Sequence, residues 1–334
     1  MSIPSTRLGR TGLTVSRLAL GTMTFGLQTD EAVSSQILDK ATGAGINFLD
    51  TADVYPLGGT LETAGRTEEI IGRWLKTRQR GDYVLATKAV GKMGPHAWDQ
   101  GASRKHLLDA IDASLQRLQT DYVDLYQLHS DDRDTPLDES LEALDVIVKS
   151  GRARYIGVSN FLAYRLARAL GRADLKGLSR YVCVQPRYSL LFREIERELL
   201  PLCDEEGLGV IPYNPLAGGL LSGKYKGADA KPGENTRFTL GTAGGMYQDR
   251  YWNERSFNTV AQLQKLADEA GVALATLSVA WVMANPRITA PLLGASKPEQ
   301  LDATIAAADY KLDPALKQRL DELTAEYRKG YAPR

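Results

Sequence analysis

Residues 83–129, YVLATKAVGKMGPHAWDQGASRKHLLDAIDASLQRLQTDYVDLYQLH, decide the fold because they read as one complete strand–helix–strand unit. Residues 83–87 and 123–128 are short runs apolar enough to be buried on both faces, as parallel strands are. Between them, Arg104–Leu118 places Leu107, Leu108, Ile111, Leu115 and Leu118 along one helical face. Working outward, the same alternation recurs. Further strand candidates are residues 18–21, 47–50, 155–158, 182–185, 209–213 and 289–293. Residues 137–148 form another helix, opened by Pro136 with acidic residues and stopped at Gly151.

Eight strand–helix units in succession define an α/β fold. An open doubly wound sheet also satisfies the pattern, but eight units in 334 residues favour a closed (β/α)8 TIM barrel. With no linker to divide it, 1–334 reads as a single barrel domain. Two departures stand out. Before the first barrel strand, TRLGRTGLTVSRL reads as an N-terminal β-hairpin turning around Gly9–Gly12, a plug for the barrel bottom. Between strands 7 and 8 lies a long loop whose segment 226–256 is rich in Gly, Tyr and Asn with weak periodicity, a pattern typical of binding loops.

Composition excludes several classes. Lys plus Arg and Asp plus Glu are 41 each, which leaves no electrostatic footprint for nucleic acid or an anionic membrane. The N-terminus lacks a secretory h-region, and no apolar run reaches the length of about 20 residues that a bilayer span needs. Cys183 and Cys203 lack metal-ligand spacing, and three histidines supply no metal site. The expectation is a cytoplasmic protein with reduced thiols, no metal, no membrane and no nucleic-acid partner.

In such a barrel the chemistry sits at the C-terminal strand ends. The second strand ends in Asp50 with Tyr55 in its loop, the third in Lys88 and the fourth in His129. Neighbouring strands are about 4.8 Å apart, so these four side chains gather within roughly 10 Å. A tyrosine near its ordinary pKa of about 10 is a reluctant proton donor. An ammonium about 4 Å away favours the phenolate by roughly 4 kcal/mol, whereas burial opposes it; the expected net shift is downward but smaller. Asp50 keeps Lys88 charged, and a neutral His129 orients a carbonyl oxygen. The plainer alternative assigns each a local job: Asp50 a cap, Lys88 its neutralising charge, His129 a core residue and Tyr55 loop packing.

LDTADVY (49–55), ATK (86–88), YVDLYQLH (122–129), IGVSNF (156–161), VQPRYSLL (184–191) and YNPLAGGLLSGKY (213–225) stand in one order along the chain. In that order and spacing the sequence resembles the aldo-keto reductase family. SRKHLLDAIDASLQRLQTDYVDL and LLGASKPEQL look closest to the branch holding bacterial reductases and potassium-channel β-subunits. The resemblance implies carbonyl reduction with NADPH/NADP+, without metal or flavin, Tyr55 being the general acid and Lys88, Asp50 and His129 its partners. It implies that Gly21, Thr22, Met23 and Asp50 lie along the nicotinamide side. Ser159, Asn160 and Gln185 then bond the carboxamide, and Tyr213 stacks on the ring. Asn214, Pro215, Leu216, Gly218 and Lys224 wrap the pyrophosphate, with Arg237 over the 2′-phosphate region. Gly294, Ser296 and Gln300 meet a phosphate, with Lys297 nearby. Where the family usually has Glu-Asn, this chain has Ala303-Thr304, which weakens the adenine contacts expected at Thr304.

Phe25, Trp98, Tyr247 and Trp252 are expected cavity walls, and the chain's end at Arg334 suggests a relatively open pocket. The substrate is a small carbonyl compound or an alcohol. Two alternatives stay open: an NADP+-dependent alcohol or sugar dehydrogenase, and a cofactor-sensing interaction subunit. Direction, substrate identity and oligomeric state are not legible in the sequence.

Overall fold

A computed structural model describes residues 3–328 apart from residues 226 and 230. The terminal Tyr331–Arg334 stretch and the first residue of the 226–256 segment therefore lie outside the described residues. The strands are β1 (Ser5–Arg7), β2 (Thr14–Ser16), β3 (Ala19–Gly21), β4 (Phe48–Asp50), β5 (Val84–Ala89), β6 (Val123–Leu128), β7 (Ala153–Ser159), β8 (Tyr181–Gln185), β9 (Gly209–Val210) and β10 (Leu292–Leu293). The helices are α1 (Glu31–Gly43), α2 (Arg66–Leu75), α3 (Arg104–Leu118), α4 (Leu137–Lys149), α5 (Ala163–Lys176), α6 (Leu199–Glu206), α7 (Gly244–Tyr251), α8 (Glu254–Glu269), α9 (Leu274–Met283), α10 (Gln300–Ile305) and α11 (Pro314–Leu323).

The eight barrel strands pair in parallel in the order β10-β3-β4-β5-β6-β7-β8-β9. The ring closes between its two shortest members through backbone bonds from Thr289 to Val210 (2.8 Å) and from Leu292 to Pro212 (2.8 Å). Alternation along each strand creates two apolar layers. Ala19, Phe48, Ala86, Leu125, Cys183, Ile211 and Ala290 fill the interior, while Leu20, Leu49, Leu85, Tyr126 and Val158 pack against the helices. The antiparallel β1–β2 hairpin adds Leu8 and Val15 to the interior layer, so it plugs the barrel bottom as expected. Gly9, at φ +58, lets that hairpin lie against the Gly207–Gly209 backbone with no room for a Cβ.

Local chemistry explains the element ends. Ser103 caps α3 by accepting from the His106 amide at 3.3 Å, and Gln119 ends the helix in the left-handed region. Pro136 starts α4, as its fixed φ favours. The segment between strands 7 and 8 is more ordered than its weak periodicity suggests. Its middle folds as α7, and Asn253 accepts from Ser256 to start α8 two residues later. Glycine at 244 and 245 hid α7, because its stability comes from burying Tyr247 and Tyr251 rather than from propensity. Among the described residues no single helix is long and apolar enough to cross a membrane.

Candidate active site

The register places Gly21 opposite Asp50, Asp50 opposite Ala86, and Lys88 opposite Gln127, which aligns the ends of four adjacent strands. Lys88 is fully buried, and its Nζ donates to Asp50 Oδ2 (2.6 Å) and to the Thr51 carbonyl (2.7 Å). Asp50 Oδ1 accepts from Gln185 Nε2 (2.8 Å) and Gln127 Nε2 (3.2 Å). Lys88 Nζ stands 5.2 Å from the Tyr55 ring centre, and the Tyr55 ring meets the His129 ring edge-on at 5.5 Å. All four residues expected to handle the proton are therefore brought together.

The electrostatics depart from expectation at one point. The Tyr55 hydroxyl is held well above its ordinary pKa, not below it. Burial is the largest cause, the Asp50 carboxylate the second, with Tyr247 and Tyr213 adding to it and Arg237 opposing. The downward shift fails because burial outweighs it, and the Asp50 carboxylate, 2.6 Å from Lys88, offsets part of the ammonium's pull. His129 behaves as anticipated. Burial first and the Lys88 charge second push it down to about 3, so it is a neutral imidazole near pH 7.

Next to this cluster, Ser159 Oγ donates to the Gln185 carbonyl (2.8 Å), and Asn160 Nδ2 donates to the His129 carbonyl (2.9 Å). Tyr213 Oη donates to Asn160 Oδ1 (2.9 Å), so Ser159, Asn160, Gln185 and Tyr213 form one continuous edge of the site. Asp50 orients the Gln185 amide with nitrogen inward, which leaves its oxygen to face a donor such as an amide NH2. On the first-strand side, Thr22 Oγ1 donates to the Asp50 carbonyl (2.9 Å), and the Met23 carbonyl accepts from Leu57 N (2.9 Å).

After β9 the backbone folds into a tight turn. Asn214, Ala217, Gly218 and Gly219 all have positive φ; the Asn214 carbonyl accepts from Ala217 N (2.9 Å), Asn214 Oδ1 from Gly218 N (2.9 Å) and the Leu216 carbonyl from Gly219 N (2.9 Å). Lys224 Nζ lies 3.7 Å from the position that a Cβ on Gly219 would occupy. Burial and the nearby Arg237 guanidinium lower the Lys224 pKa. Arg237 has a buried Nη1 without a partner, and neither cation has a carboxylate partner among the described residues. Arg237 acts on Tyr55 and stands 5.5 Å from the Tyr247 ring, so it lies beside the tyrosine cluster.

Gly294, Ser296 and Gln300 follow β10, where the Gln300 Oε1 accepts from the Ser296 amide at 2.9 Å. Ser296 is thus no helix cap; α10 begins only at Gln300. Thr304 is buried at 2 % exposure with its hydroxyl on the Leu301 carbonyl, which turns it away from any adenine. The walls also need correction. Phe25 is fully buried in the core, and Trp252 packs among Phe238, Phe257 and Tyr225. Tyr247, at 2 % exposure, does sit over the site, and Trp98 is exposed and stacks on His96 at 4.7 Å. A cavity of about 420 Å³ beside Gly26, Asp30 and Arg66 contains none of the four proton-handling residues.

Two residues escaped the sequence reading. Gln127 is one, although period-two alternation with Leu125 and His129 already placed it inside the barrel. Asp53 is the other: fully buried, with no well-formed hydrogen bond to either oxygen among the described residues. Burial first and Glu68 second hold its carboxyl well above the usual range, against the opposing Arg117, the Val54 backbone amide and Lys88.

A closed parallel βα barrel with a buried lysine–aspartate pair, a tyrosine and a neutral histidine at its strand ends has the build of an oxidoreductase. The chain belongs to the aldo/keto reductase family, whose model matches residues 17–325. It is 41 % identical to an uncharacterized oxidoreductase, YrpG, of Bacillus subtilis over 95 % of each chain. It is 36 % identical to a probable voltage-gated potassium channel subunit beta of Arabidopsis thaliana, again over 95 % of each. With the versiconal hemiacetal acetate reductase of Aspergillus parasiticus it shares 32 % identity over 95 % of each.

Proposed function

We propose that this oxidoreductase is an NADPH-dependent carbonyl reductase in which Tyr55 protonates the nascent alcohol oxygen. The carrying observation is the buried Tyr55 hydroxyl beside the Lys88–Asp50 pair and a neutral His129. The relative named as a reductase supports the direction.

The orphaned Arg237 Nη1 and the nearby Lys224 ammonium fit a dinucleotide pyrophosphate, since two cations without a carboxylate partner among the described residues leave a place for negative charge. When bound, the nicotinamide supplies hydride to the carbonyl carbon. This chain's residues do the rest. Ser159, Asn160 and the free Gln185 oxygen hold the carboxamide, and Tyr213 packs against the ring. Neutral His129 donates a hydrogen bond to the carbonyl oxygen and fixes its direction. Tyr55 passes its Oη proton to that oxygen as negative charge develops there, and Lys88 stabilises the phenolate that remains. Arg237 and Tyr247 exclude water above. Burial keeps Tyr55 protonated at neutral pH, so it enters the step carrying the proton it is to donate. Ser296 and Gln300 meet a phosphate of the dinucleotide, in one barrel domain that acts on a small carbonyl compound.

Tyr55→Phe is the direct test. It should abolish NADPH oxidation with every accepted aldehyde or ketone while NADPH binding, followed by fluorescence, stays within a few-fold of wild type. Full turnover by this variant would remove Tyr55 as the acid.

A further inference from the structure

The Asp50 carboxylate is held by more than its lysine. Gln127 lies on the inward face of β6, is fully buried, and donates from Nε2 to Asp50 Oδ1 at 3.2 Å. Gln185 shares the same oxygen at 2.8 Å, while Lys88 takes the other. The Gln127 Oε1 has no partner. Reversing the amide would set that oxygen against the carboxylate, so only one orientation is compatible with Asp50. An apolar side chain would avoid a buried orphan oxygen altogether, and the barrel interior just below, at Ala86, Leu125 and Cys183, is apolar. A side chain that leaves a polar atom unsatisfied at the upper edge of an apolar layer is placed there for the bond it does make.

We infer that Gln127 is a positioning residue that pins the Asp50 carboxylate, so that Lys88 stays fixed beneath Tyr55 whether or not Gln185 is engaged by a nicotinamide. This rests on the proposed reductase reading. Gln185 serves two groups, Asp50 through Nε2 and the carboxamide through its oxygen, whereas Gln127 serves Asp50 alone. Without Gln127, Oδ1 depends wholly on an amide whose position is shared with the cofactor.

The test uses the full chain with NADPH and 4-nitrobenzaldehyde. Gln127→Leu and the closer-shaped Gln127→Met should lose about tenfold in kcat, with aldehyde KM and NADPH Kd within twofold. Gln127→Glu keeps the shape but sets a second carboxyl against Asp50, with Lys88 and the Cys183 thiol as the other ionisable neighbours. Its activity relative to wild type should recover as pH falls and the new carboxyl gains a proton to donate. In the apo protein the same variant should melt several degrees lower, relative to wild type, at pH 8 than at pH 5; Gln127→Leu should show no such pH difference. Wild-type kcat in both apolar variants, a loss confined to KM or Kd, or a pH-independent Gln127→Glu would each overturn the inference. Tyr55→Phe run in parallel separates the two ideas. If Tyr55→Phe is dead while Gln127→Leu is normal, only the positioning role fails; if Tyr55→Phe is active, the reductase mechanism fails.

Discussion

Removing the Lys88 ammonium probes the proposed mechanism most sharply. Its Nζ lies 5.2 Å from the Tyr55 ring centre. At an effective dielectric of 20, a unit charge at that distance stabilises a phenolate by about 3 kcal/mol. Lys88→Met forfeits this and leaves the Asp50 charge unopposed, and both effects raise the cost of releasing the Tyr55 proton. If charge development on Tyr55 is nearly complete in the transition state, kcat falls on the order of 100-fold. Stability falls too, because breaking a buried ion pair on one side strands the other charge, at a cost of about 3–5 kcal/mol. The double variant Lys88→Met/Asp50→Asn distinguishes the two losses, since it removes both charges. NADPH oxidation at 340 nm and thermal melting by circular dichroism should show the double variant recovering most of the stability but only a small part of the turnover, since Asp50→Asn lifts the carboxylate's opposition without restoring the ammonium. A folded Lys88→Met with kcat within threefold of wild type, or a double variant with restored turnover, would refute the assignment of Lys88.

Three further outcomes follow from the same geometry. His129 is lowered to about 3, so the pH profile of kcat should carry no inflection near the ordinary histidine value of about 6.5. Its stabilising contribution is complete above that value and is lost as pH falls toward 3, and an inflection that disappears in His129→Gln would contradict it. The raised Asp53 carboxyl keeps its proton in the folded chain after the unfolded chain has lost its own, so it costs stability increasingly as pH rises above about 4. Asp53→Asn should therefore match wild type near pH 4 and melt about 2 °C or more higher at pH 7; a lower melting point at pH 7 would show that the carboxyl is ionised and useful. Arg237→Gln should weaken NADPH binding about tenfold and flatten its salt dependence, measured by fluorescence titration at two ionic strengths, and unchanged affinity would place the anion-binding cations elsewhere.

Much of this was readable from residue order. Strands buried on both faces are uninterrupted apolar runs, so β5, β6 and β8 announced themselves, and the strand-end rule then brought Asp50, Tyr55, Lys88 and His129 together. What escaped depended on neighbours distant in the chain. Nothing near Tyr55 in sequence reveals that its burial outweighs the pull of Lys88, part of which Asp50 offsets, so the sign of the tyrosine shift came out wrong. Trp252 looked like a cavity wall because an aromatic residue in a Gly-rich segment gives no hint of Phe238 and Phe257 waiting to pack against it. Helix α7 was missed for a related reason, its stability coming from two buried tyrosines rather than from its own residues. Thr304 followed a motif position without regard to which side of its helix faced inward.

The two-residue strands β9 and β10 give the barrel a seam, stitched by few backbone bonds and flanked by the Asn214–Gly219 turn on one side and Gly294–Ser296 on the other. A dinucleotide spanning those two loops would act as a clasp across the join. Amide exchange should then be fastest along β9 and β10 in the empty protein and slow there first as ligand is added, while β5 and β6, with their long ladders, exchange alike in both. The weakest part of the cylinder and its tightest ligand grip would then coincide, so that resistance to unfolding, and to proteolysis at that edge, rises and falls with the supply of nucleotide.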